Sequence, residues 1–248
     1  LVILQMPVTS VPFQYKDESG KEYEGVLCYD KSVTTKRPGV LVFHAFAGCT
    51  EFEAERAEEL AKLGYVSLAA DVYGKGVRGT TKEENFALMK PLVEGDRAEL
   101  GRRILAARNA LASVEGVDGG RIGAIGYCFG GRCALDAARR RVPGLKAAVS
   151  FHGTLGPIPG EPNTEIEARI QVHNGQADPH IPKDQILGLY DELNERKADW
   201  NYVEHGHALH AFTEPKASAF GIPGVGYQEK AARRSWKMTK DFLAEAFA

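Results

Sequence analysis

The stretch Arg121–Gly131, RIGAIGYCFGG, constrains this chain more than any other. Short apolar and β-branched residues lead to Tyr127, glycines stand two residues before and two after Cys128, and a helical pattern follows at once. Strand, turn and helix in that order are the setting of a turn that presents a nucleophile. Such a turn strains the backbone of its central residue. Side chains two places before and after would clash, hence Gly126 and Gly130. Two readings of Cys128 follow. It is either a thiol nucleophile, its thiolate favoured by the amino end of the next helix, or a small buried hydrophobe beside a tight turn. The setting favours the first. Cys133, Cys28 and Cys49 fit the second.

The flanking pattern predicts a mostly parallel sheet with helices on both faces. Residues 8–30 read as two extended runs around a hairpin signal at Glu18-Ser19-Gly20. Val40–Phe43 is a continuous apolar run, the mark of a strand buried on both faces. Thr50-Glu51-Phe52-Glu53 has the form of a capping box; its helix runs to about Leu63, with Gly64 at C′. Tyr65–Ala70, Arg121–Tyr127, Lys146–Phe151, Ile170–His173 and Asn201–Glu204 read as further strands, with Gly119-Gly120 as a turn. Residues 82–93, 96–114, about 130–141, 183–197 and 228–247 read as helices. Strands alternating with helices argue for an α/β fold, and such sheets bind ligands at the carboxyl ends of their strands.

Bulk properties exclude some classes. At 248 residues, 44% hydrophobic and 26% charged, the chain suits one globular domain over residues 1–248. A formal net charge of −2 offers no basic excess for nucleic acid. Arg139-Arg140-Arg141 and Arg233-Arg234 read as solvated faces. No apolar run reaches membrane-spanning length, and four cysteines without a paired spacing indicate neither a disulfide framework nor a zinc site. Reduced thiols in a cytoplasmic protein are the expectation. The opening LVILQM is short for a signal peptide and lacks a basic region, with Met6 a candidate start.

A cysteine nucleophile needs a base, and the base an orienting group. In this kind of fold the chain order is nucleophile, acid, histidine. Asp178, in NGQADPHIP after strand 170–173, is the candidate acid; taken alone it would read as a turn or cap residue. Asp184, near a helix start, fits that plainer reading better. The loop HGHALHAFTEP after strand 201–204 holds His205, His207 and His210, and spacing does not choose among them. Backbone N–H groups of Phe129, after the nucleophile, and Phe46, in HAFAG after strand 40–43, are the candidate oxyanion donors.

Taken together, VLVFHAFAG, AADVYGKG, IGYCFGG, SFHG, NGQADPHIP, HALHAFTEP and RRSWKMTKDFL resemble the dienelactone hydrolase family of α/β-hydrolases over nearly the whole chain. The resemblance implies the α/β-hydrolase fold and a triad of Cys128, Asp178 and His210, choosing His210 as the residue two before the Phe of HAF. It supports Phe46 and Phe129 as oxyanion donors and puts His152 in the substrate pocket. Two positions depart from the family. Ala45 stands where dienelactone-cleaving members carry a glutamate that helps activate the thiol. Glu214 stands where they carry an arginine that holds the substrate carboxylate. A second arginine of that clamp has no clear match, Arg78 and Arg97 being nearest. Loss of the clamp weakens selection for anionic lactones. The expected function is cofactor-free, metal-free hydrolysis of a small ester, lactone or thioester through a thioacyl-enzyme, without selectivity for dienelactone. The alternative is a catalytically weak binding or redox-responsive protein on the same scaffold, its thiol open to oxidation.

Overall fold

The computed structural model describes residues 8–248; LVILQM and the reading of Met6 as a start lie outside the described residues. Eight strands among these residues form one sheet: β1 (Val8–Lys16), β2 (Glu22–Asp30), β3 (Arg37–Phe43), β4 (Val66–Ala70), β5 (Val117–Tyr127), β6 (Leu145–Phe151), β7 (Arg169–Gly175) and β8 (Trp200–His205). Their order is β1-β2-β4-β3-β5-β6-β7-β8. β1 and β2 form the expected antiparallel hairpin, closed by Asp17, whose Oδ1 accepts from the N–H groups of Ser19 and Lys21. β2 also pairs antiparallel with β4, while β4, β3, β5, β6, β7 and β8 run parallel.

Alternation along β3 shows why its sequence is apolar throughout. Val40 and Val42 pack in the layer formed with Ala57, Leu60 and Ala61 of α1 (Glu51–Lys62) and Phe242 and Leu243 of α6 (Glu229–Ala246). Leu41 and Phe43 pack in the opposite layer, with Leu100 and Ile104 of α3 (Ala98–Ala112), Leu135 of α4 (Phe129–Arg139) and Leu189 of α5 (Lys183–Glu195). A strand covered on both faces has no use for a polar face. Helix α2 (Lys82–Val93) lies between β4 and α3 in the chain.

The capping box at Thr50 and Glu53 forms as expected, and Gly64 follows the helix with φ of 95°. Two boundaries that differ from expectation belong to the elements that flank the cysteine turn. Gly119-Gly120 lies inside β5: the pairing of β5 with β3 passes from Asp118 to Ile122, so these residues form an irregularity in a strand that starts at Val117. Two adjacent glycines read equally as a turn or as a break in strand pairing. Helix α4 begins at Phe129, which makes Cys128 its N-cap residue.

β3 has β4 on one side and β5 on the other, so the winding of the sheet reverses between β3 and β5. The crevice beyond the carboxyl ends at such a reversal is where open α/β sheets bind ligands. Phe43, the last residue of β3, pairs with Gly126 of β5, which sets the HAFAG loop beside the cysteine turn.

Candidate active site

Cys128 has φ of 53° and ψ of −112°, outside the regions a side-chain-bearing residue ordinarily occupies. A conformation of that kind costs about 1–3 kcal/mol and persists only where its surroundings enforce it. Here they do. A Cβ on Gly126 would lie 2.0 Å from the carbonyl oxygen of Gly130, and one on Gly130 would lie 2.1 Å from that of Phe43. A Cβ on Gly131 would meet Ser150 Oγ at 2.6 Å. Strand β3, the turn and helix α4 therefore touch backbone to backbone.

His152 does not stand in the pocket wall, where the resemblance puts it. The ring is fully buried beneath the turn. The Cys128 N–H donates to the Phe151 carbonyl (3.0 Å) and to His152 Nδ1 (3.2 Å). Because Nδ1 accepts, Nε2 carries the hydrogen and donates to Thr213 Oγ1 at 2.7 Å. Burial, with His210 nearby, holds the His152 pKa well below the usual imidazole value, so the ring is neutral. Its backbone, at φ of 40°, turns the chain out of β6 and is held by donation of its N–H to His173 O at 2.8 Å.

Asp178 lies three residues past β7 and folds back there, its N–H bonded to Gly175 O at 3.1 Å. Its Oδ1 accepts from the His180 N–H at 2.8 Å, and its Oδ2 from His210 Nδ1 at 2.8 Å. Gly175 permits this approach: a Cβ there would come within 2.5 Å of Ala208 O in the histidine loop. His210 is fixed through its backbone, donating to Gly224 O (2.9 Å) and accepting from Gly226 N–H (3.0 Å). With Nδ1 on Asp178, Nε2 is the atom left for Cys128. Burial pulls the His210 pKa down, but the Cys128 sulfur and the Asp178 carboxylate outweigh it and push the value up to about 10.

The other two histidines lie elsewhere. His205 is buried with its Nε2 3.2 Å from His173 Nδ1. His207 is exposed, in a left-handed turn at φ of 62°. Asp184 is the second residue of α5, as its plainer reading held. His180, which sequence reasoning passed over, packs edge-on against the His210 ring at 5.2 Å between centroids.

Phe46 and Phe129 both line a cavity of about 230 Å³ with Cys128 and His210. Among the described residues neither backbone N–H has a protein acceptor. The loop carrying Phe46 is pinned on two sides. Glu53 of the capping box accepts from Thr50 N–H (2.8 Å) and also, through Oε1, from Ala45 N–H (3.2 Å). Tyr73, beyond β4, donates its hydroxyl to Phe46 O at 2.9 Å and stacks on Phe129 with centroids 5.8 Å apart. His44 completes the brace: Nε2 accepts from Val72 N–H at 3.1 Å, so Nδ1 donates to Ala45 O. Tyr73 and Glu53 were legible only as members of AADVYGKG and of a helix cap.

The rest of the cavity is largely apolar, with Phe86, Met89, Val93, Phe220, Ile222 and Val225 in its wall. Besides its histidines and Cys128, its ionisable side chains are Arg132 and Glu214. Burial and the neighbouring Glu53 carboxylate push the Glu214 pKa up to about 8. Neither Arg78 nor Arg97 reaches the cavity; Arg78 bonds Asp71 (3.3 Å) and Arg97 bonds Asp136 (2.8 Å). Among the described residues no cluster of three or more His, Cys, Asp or Glu has metal-holding geometry, and no helix is long and apolar enough to cross a membrane.

Comparison with known proteins follows the same lines. The model of the dienelactone hydrolase family matches residues 23–247. An uncharacterised protein of Caenorhabditis elegans is 46% identical over 151 residues, 60% of this chain and 96% of that one. A Bradyrhizobium protein named "Probable 2-oxo-3-(5-oxofuran-2-ylidene)propanoate lactonase" is 27% identical over 220 residues, 85% of each chain. The crystal structure of a dienelactone hydrolase-like promiscuous phosphotriesterase from metagenomic libraries superposes with a TM-score of 0.91. The two are 34% identical, over 97% of this chain and 99% of that one.

Proposed function

The chain belongs to the dienelactone hydrolase family of α/β-hydrolases, and on that premise we propose that residues 1–248 form one domain that hydrolyses small esters, lactones or thioesters through Cys128. The observation that carries this reading is the contact chain Asp178–His210–Cys128, in the chain order the chemistry needs and at the crevice of the sheet.

In the proposed cycle His210 Nε2 takes the Cys128 proton, and the sulfur attacks the carbonyl carbon. Asp178 fixes the tautomer and stabilises the imidazolium. A raised His210 pKa favours this transfer, because the Cys128 sulfur and the Asp178 carboxylate both stabilise the imidazolium it produces. The carbonyl oxygen becomes an oxyanion held by the Phe46 and Phe129 N–H groups, each such donor contributing about 10²–10³ in rate. Collapse breaks the carbon–oxygen or carbon–sulfur bond, and the leaving group takes the proton from His210. Water, deprotonated by His210, then attacks the thioester; the carbon–sulfur bond breaks and the proton returns to Cys128. No metal or cofactor enters this cycle.

Ala45 and Glu214 support a substrate other than dienelactone, since the first cannot act on the thiol and the second is an acid where a clamp needs a cation. Phosphotriesters are a second class to try, because the relative with that named promiscuity shares 34% identity and the fold. The test is turnover of 4-nitrophenyl acetate by wild type and Cys128→Ala, with mass spectrometry for an acyl adduct. Loss of turnover in the variant and an adduct on Cys128 are expected; equal rates would overturn the reading.

A further inference from the structure

Arg132 is set apart from the arginines around it. Arg97 pairs with Asp136 at 2.8 Å, Arg139 with Asp136 (3.2 Å) and Glu192 (2.8 Å), and Arg196 with Glu192 (3.3 Å). Arg132 has no carboxylate partner among the described residues, and residues 1–7 contain no acid. Its one side-chain hydrogen bond runs from Nε to Thr154 Oγ1, at 2.6 Å. Both residues line the cavity that holds Cys128. Burial, and repulsion from Arg97 and Arg139, pull its pKa down to about 10, which leaves it charged at neutral pH. A partly buried guanidinium that faces a largely apolar cavity with no carboxylate partner is open to an anion that a ligand brings.

Its place on α4 aims it. The Arg132 N–H bonds to the Cys128 carbonyl, so the two residues stand one helical turn apart on one face. Side chains on a helix lean toward its amino end, here toward the nucleophile. With Nε fixed on Thr154, the two terminal nitrogens are left to the cavity in the fork geometry that matches an oxyacid. Glu214 lies at another part of the wall: its charged neighbours are Glu53 and His210, while those of Arg132 are Arg97, Asp136 and Arg139.

We infer that Arg132, oriented by Thr154, is the specificity-determining residue of this pocket and takes a carboxylate carried by the substrate about one helical turn from the reacting carbonyl. The inference rests on Cys128 as nucleophile only for the direction in which the substrate lies. It moves the anion site from residue 214, on the loop after the histidine, to the helix of the nucleophile. The favoured substrate is then an ester or lactone whose acid group points along α4.

The experiment compares mono-4-nitrophenyl adipate with its methyl ester, which differs only in the distal charge. Wild type should favour the acid by roughly 10- to 100-fold in kcat/KM, carried mostly by KM. Arg132→Met should collapse that ratio toward one, and Arg132→Lys should keep part of it. A ratio near one in wild type, or one unchanged in Arg132→Met, overturns the inference. Calorimetry on Cys128→Ala, with monomethyl and dimethyl adipate, reads the same preference without turnover. Tighter binding of the acid that disappears in Cys128→Ala/Arg132→Met supports the site even if Cys128 proves not to be the nucleophile. Equal binding of the two in Cys128→Ala overturns it.

Discussion

At the scale of single residues, three histidines in one loop have three different surroundings. Only His210 has its Nδ1 on a carboxylate and a sulfur beside its ring. His210→Ala should lower kcat/KM for 4-nitrophenyl acetate by at least about 10³-fold, whereas His207→Ala, at an exposed turn, should change it less than about twofold. The reverse result would show the wrong base had been chosen. Glu214 gives a second prediction. Burial and Glu53 raise its pKa to about 8, so it is mostly a neutral acid at pH 7 and becomes an anion as pH rises through that value. For an anionic ester kcat/KM should fall between about pH 7 and 9, while a neutral ester is little affected there. Glu214→Gln should remove the fall; a fall that survives in that variant rules Glu214 out as its source. His210, at about 10, titrates above this window. Little of this was readable from residue letters: Glu214 showed as an acid in place of an arginine, but its shift comes from burial and from a carboxylate 161 positions earlier in the chain.

At the scale of elements, the strand–turn–helix unit was legible in the sequence because its glycines are demanded by local geometry. Gly126, Gly130 and their neighbours sit within a few residues of each other, and steric rules alone predict them. Gly130→Ala tests this: a Cβ 2.1 Å from Phe43 O must push α4 off the end of β3. The variant should lose about 1–3 kcal/mol or more of stability, seen as a lower melting temperature, and most of its esterase activity. A variant as stable and active as wild type would mean the turn relaxes freely. Helix α1 shows what local rules leave out. Its capping box was plain from Thr50 and Glu53, but nothing nearby in sequence says that the same carboxylate also accepts from Ala45. Arg132 is a similar case, since the pocket it faces is completed by α2 and by the segment after β6, two stretches distant from each other in sequence. The start of β5 at Val117 is not legible in the sequence, because a glycine pair fits both a turn and an irregular ladder.

At the scale of the whole molecule, His44, His152, His173 and His205 all lie buried and all have pKa values lowered, chiefly by burial; His173 reaches about 3. The unfolded chain would take up protons at these sites from about pH 6.5 downward, and the folded one would not. At these sites the unfolded state then binds more protons, so their contribution to stability is full above that pH and is lost as pH falls. Each histidine contributes up to about 1.4 kcal/mol per pH unit over its own window. The melting temperature should drop steeply between pH 6.5 and 4, and His173→Gln should lessen the slope. A melting temperature independent of pH in that range would refute this account. The pocket has one more property. Cys128, Asp178 and His210 follow β5, β7 and β8, whereas Phe86 and Met89 belong to α2, and Phe220, Ile222 and Val225 to the segment that precedes α6. Much of the apolar wall is thus written on stretches of chain that carry none of the three. Descent can rewrite those stretches while the triad is copied unchanged, and a mutagenesis library confined to Phe86, Met89, Phe220 and Ile222 would explore new substrates while leaving alone Val225, which bridges to His210.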